Sequence, residues 1–144
     1  MDPFAIIRDK LTQRNVDFVD EQDSISVPSQ TLDGFPVYFC LSDPMYVVSL
    51  GGWHGHFKDA DAALKIFFLG LTSHLRLCVT SRGSWEYRWK VEICDENQWQ
   101  EMGTDIVPFF PFWKAKRVFY QQNNLLPMPE GMTASILTEG WFDS

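Results

Sequence analysis

The chain has 144 residues, 45% of them apolar and 22% charged, and a net charge of −7. That length suits one domain with its own core, and the composition excludes a disordered chain or a coiled coil. An excess of acid repels a phosphate backbone, so no nucleic-acid partner is expected. No run approaches the roughly 20 apolar residues that span a bilayer, so no membrane is expected either.

Asp2 caps a predicted first helix, with Pro3 at its first position. Phe4, Ile7 and Leu11 fall on one face of it, and Asn15 is its predicted stop. A short strand is predicted at Val16–Phe18. Residues 20–34 are acidic and rich in turn formers, and Ile25 and Val27 around Ser26 suggest an edge strand that Pro28 ends.

Residues 35–41 and 45–50 read as a hairpin joined by Ser42-Asp43-Pro44. The stretch Gly51 to Phe57 reads as a glycine-rich loop. Asp59 then caps a second helix over residues 60–71, apolar enough to be buried nearly all round. Leu75, Leu77 and Val79 alternate with polar positions. After a turn, Trp85, Tyr87, Trp89, Val91 and Ile93 alternate with Glu86, Arg88, Lys90, Glu92 and Cys94. Period two over ten residues predicts a strand with one dry and one wet face. Asp95-Glu96-Asn97 makes a turn before Gln98–Met102. Pro108 to Pro111 suits no central strand, and a strand is predicted to resume over 112–120.

Turns this short make hairpins, so the predicted fold is α+β: a mostly antiparallel curved sheet of about six to eight strands with two helices on one face. The whole of 1–144 is read as one domain, with residues 121–144 as a wrapping tail. Trp141 and Phe142 would anchor that tail. No basic segment followed by an apolar one opens the chain, so no signal peptide is expected. Cys40, Cys78 and Cys94 are odd in number and lie in predicted strands. They read as reduced, buried small hydrophobes, which fits the cytoplasm.

Three sets of residues are candidates for function. His54 and His56, with Asp59 after them, could ligate a metal or act as base, or could simply belong to a turn anchored by Trp53 and Phe57. Arg76, Arg88, Lys90, Lys114 and Lys116 fall at polar strand positions and could form a cationic face, or could pair with Glu86 and Glu92. Phe109, Phe110, Pro111, Phe112 and Trp113 do not alternate, so one face cannot hide them all, and exposed aromatics mark contact sites. Nucleotide-binding and nucleophile-elbow motifs are absent from the sequence, so no catalytic residue and no cofactor is assigned.

The leading expectation is a non-catalytic binding or protein-interaction module. Its contact residues would be Trp53, His54, His56, Arg88, Phe112, Trp113 and Lys114. A homodimer and a blocker of a basic partner are two versions of it. The alternatives are a small metal-dependent hydrolase or isomerase using His54 and His56, and a carrier of a flat apolar ligand.

Overall fold

Asp2 Oδ1 accepts from the Phe4 N–H at 3.0 Å, which satisfies an orphan donor and starts the first helix, α1 (Pro3–Gln13). The computed structural model describes residues 2–127. Helix α1 buries Phe4, Ile7 and Leu11, the predicted stripe. Asn15, at φ 56°, turns the chain away.

Five strands follow the helix and its turn: β1 (Val19–Glu21), β2 (Ser24–Val27), β3 (Val37–Ser42), β4 (Met45–Leu50) and β5 (Trp53–Phe57). They pair antiparallel in chain order into one sheet. Helix α2 (Ala60–Leu69) begins at Asp59, whose Oδ1 accepts from the Asp61 N–H at 3.1 Å. A second sheet contains β6 (Leu75–Arg82), β7 (Trp85–Asp95), β8 (Gln98–Ile106) and β9 (Lys116–Gln122), in the order β8-β7-β6-β9. The fold class is therefore α+β with antiparallel sheets, and the helices pack against the first of them.

Several details differ from the sequence-based expectations. The strands number nine among the described residues and divide between two sheets. Helix α2 supplies the break, because it lies between β5 and β6 and covers β3, β4 and β5. The early strand begins at Val19, not Val16, and it takes the edge position expected of β2. Residues 53–57 form strand β5 rather than a loop. Gly51 and Gly52 make the tight β4–β5 turn, where Gly51 adopts φ 57°, and Gly55 lies within β5. The last strand begins at Lys116, because the segment before it holds two prolines that cannot donate to a ladder.

One cluster of buried side chains joins the parts. Ile7, Leu11, Phe39, Leu50, Trp53 and Phe67 from the helices and first sheet meet Leu75, Leu77, Val79, Val91 and Ile93 from the second. Cys78 is buried, Cys40 and Cys94 are half-buried, and all three are unbridged. The expected tail is described as far as Pro127. Its anchors Trp141 and Phe142 lie outside the described residues. Among the described residues no helix is long and apolar enough to cross a membrane.

Candidate functional site

The clearest surface feature is built where β7, the β6–β7 turn and the segment 107–115 meet. Phe110 stacks on Tyr87 at 4.0 Å between centroids and 14° between planes, and Tyr87 is itself buried. The Val107 N–H donates to the Tyr87 carbonyl at 2.8 Å, and the Gly83 N–H donates to the Ala115 carbonyl at 2.8 Å. The segment is thus fastened at both ends and in the middle. Because Phe110 turns inward, its neighbours must turn outward. Phe109 is 81% exposed and Trp113 is 73% exposed, with Phe112 set edge-on to Trp113 at 5.3 Å.

Trp85 joins this group. The alternation of β7 predicts it to be dry, yet it is 53% exposed. The register shifts between Thr80 and Ser81, so Tyr87 has no partner on β6, while Arg82 pairs with Trp85. The irregularity breaks the alternation at the end of the strand. Trp85, Phe109, Phe110, Pro111, Trp113 and Lys114 line an open, largely apolar pocket of about 420 Å³.

The charges around it are cationic. Arg82, Arg88, Lys114, Lys116 and Arg117 lie on or beside this end of the second sheet, and none is in an ion pair among the described residues. Glu86 is nearby, where it accepts from the Trp89 indole N–H at 3.1 Å. The other half of the predicted cationic face is neutralised. Arg76 binds Glu92 at 2.9 Å, Lys90 reaches the same carboxylate at 3.6 Å, and the Arg76 guanidinium lies between Trp99 and Tyr120 at 4.2 Å from each ring. Pairing with Glu92, across strands for Arg76 and along β7 for Lys90, therefore accounts for these two, and leaves Arg88, Lys114 and Lys116 outside any ion pair among the described residues.

The histidine set is arranged differently. His54 and His56 point to the exposed face of β5. Ser49 Oγ and His54 Nδ1 share a 2.7 Å hydrogen bond, and the His54 backbone N–H donates to Asp105 Oδ2 at 2.7 Å. His54 lines a second pocket of about 390 Å³ with Gly52, Trp89, Asp105, Ile106 and Val107. His56 pairs with Val47 and lines neither pocket, and Asp59 is engaged as the α2 cap. Among the described residues no group of three or more His, Cys, Asp or Glu is placed to hold a metal ion. Trp53 is buried, packed over Gly55 and Gly103.

The structure thus gathers Phe112, Trp113 and Lys114 with Trp85 and Phe109, and sets Trp53 and His56 elsewhere. Trp85 and Arg82 were absent from the sequence candidates, and the only signal for them was the turn at Gly83 beside an aromatic strand end. Comparison of the chain with protein-family models, curated proteins and solved structures finds no match.

Proposed function

We propose that this chain is a protein-binding module whose contact surface is the aromatic group Trp85, Phe109, Phe112 and Trp113. One observation carries this reading: three large rings on a nine-residue segment face solvent while the segment itself is tied down. Exposing large aromatics is unfavourable, by about 25 cal/mol per Å² left in water. A fastened segment could turn them inward at lower cost if they had no use outside. Rings held rigidly also lose little entropy on binding, and Trp and Arg, both present here, are among the residues enriched at interface hot spots.

The test is the double variant Phe112→Ala/Trp113→Ala. Both side chains are exposed, so the folded state should keep its stability to within about 0.5 kcal/mol. Partners that co-purify with the wild-type chain from its native lysate should be lost with the variant. Retention of the same partners would refute the reading.

A second reading has support in the pocket itself, whose volume suits one flat apolar molecule. A ligand bound there would raise the thermal midpoint of the wild-type chain and leave that of Trp113→Ala unchanged.

A further inference from the structure

Strand β9 is the edge of the second sheet, and among the described residues no strand pairs with its outward side. The register and two hydrogen bonds fix which of its backbone groups are in use. The Gly83 N–H donates to Ala115, and Arg117, Phe119 and Gln121 face Ser81, Val79 and Leu77 two residues at a time from there. The odd-numbered residues therefore make the ladder to β6. The even-numbered ones point away from it, as the Gln122 N–H shows by donating to the Asp33 carbonyl at 2.7 Å. That leaves the N–H and C=O groups of Lys116, Val118 and Tyr120 unpaired by any strand among the described residues. The side chains of all three are exposed. An unpaired edge of this kind is a template for another extended backbone.

Charge selects what can pair with it. Lys116 and Arg117 open the strand, Arg82 pairs with Lys116 across the ladder, and Lys114 lies just before it, all outside any ion pair among the described residues. Strand β9 carries no carboxylate, so a second copy laid along it would answer none of these cations. A nucleic acid would match the charge but offers no amides for the edge. A peptide rich in Asp or Glu answers both.

We infer that the partner contributes an acidic extended segment that adds to the second sheet along β9, next to the exposed aromatic rings. This rests on the reading of that surface as protein-binding, and names how the partner is held. Main-chain hydrogen bonds would give affinity, and the Lys116–Arg117 cations would give the sign.

The experiment uses the full chain and fluorescein-labelled short peptides followed by anisotropy. One peptide alternates Glu and Val. A second alternates Lys and Val. A third is the Glu–Val peptide N-methylated at every residue, which keeps charge and side chains but removes the main-chain donors of both its edges. The Glu–Val peptide should bind about tenfold or more tighter than either of the others, and more weakly as salt is raised. Lys116→Glu/Arg117→Glu should reverse the preference between the two charged peptides. Val118→Pro, which removes an outward N–H and no ladder bond, should weaken the Glu–Val peptide by about tenfold.

Failure of all three peptides to bind would overturn the inference, as would equal binding of the methylated peptide. Displacement of the Glu–Val peptide by oligothymidine would do the same, since it would reveal a general polyanion surface. So would a dimer in sedimentation that Val118→Pro dissociates. Each of these leaves the Phe112→Ala/Trp113→Ala result standing, so the mode of docking and the existence of a docking surface are judged separately.

Discussion

Asn123 lies just past β9 and is buried. Its Oδ1 accepts from the Phe35 N–H at 3.1 Å, and its Nδ2 donates to the carbonyls of Phe35 and Gly70 at 3.0 and 2.9 Å. One amide thus joins the segment before β3, the end of α2 and the chain leaving the second sheet. Replacing it with Ala leaves three main-chain groups unpaired where water is scarce, and each such group costs about 1–3 kcal/mol. Asn123→Ala should lower stability by about 2–4 kcal/mol, seen as a lower urea midpoint at unchanged slope. Asn123→Asp should be nearly as damaging, because it keeps the acceptor but turns two donors into repulsion against carbonyls. A loss well under 1 kcal/mol for both would show that the clasp is not needed. Nothing in the sequence around Asn123-Asn124 marks it, since its partners lie 53 and 88 positions away. Gly52 is illegible for the same reason. A Cβ there would meet the Trp89 ring at 2.2 Å, a contact made across sheets.

At the scale of elements, the local signals were readable. Asp2-Pro3 and Asp59 cap the helices where capping chemistry places them. The alternation from Tyr87 to Ile93 does put Val91 and Ile93 in the core. The misreadings occur where tertiary pairing overrides period. Glu92 reads as a solvent-facing position, yet it is only 9% exposed, because Arg76 and Lys90 close over it. Trp85 reads as dry and is wet because the register shift leaves it beyond the covered part of β7. The segment 107–115 was recognisable as aromatic and non-alternating, but which ring turns inward depends on Tyr87, twenty-odd positions earlier. Phe110 is that ring, so it positions the others without belonging to their exposed face. Phe110→Ala should reduce global stability by about 1–2 kcal/mol through loss of the stacked pair and its burial. Chymotrypsin should then cut within 107–115 much faster than in the wild-type chain while the rest stays resistant, since the opening is local. Cleavage at an unchanged rate would mean that the backbone bonds at Val107 and Gly83 hold the segment without the ring.

The whole molecule poses a different question, namely whether two sheets unfold as one. Beside the Asn123 clasp and the Gly52–Trp89 contact, three further links cross between them among the described residues. Trp53 of β5 packs over Gly103 of β8, with its indole Nε1 at 3.3 Å from where a Cβ would stand. The Asp105 carboxylate on β8 accepts the His54 N–H on the outer edge of β5. Leu75, Leu77, Val79, Val91 and Ile93 share one buried cluster with Phe39, Leu50 and Phe67. A shared apolar cluster cannot be half exposed without losing contacts on both sides, so partial unfolding is costly. Urea unfolding followed by tryptophan fluorescence and by far-ultraviolet circular dichroism should therefore give superimposable curves. Trp53→Ala should shift both together by about 3–5 kcal/mol, because it empties a large volume at the seam. Two separated transitions, or a Trp53→Ala variant in which one probe moves and the other stays, would mean that each sheet holds its own core. In that case the acidic first half of the chain and the cationic end of the second sheet would respond to pH and salt independently, and binding at β9 would leave the stability of β1 to β5 untouched.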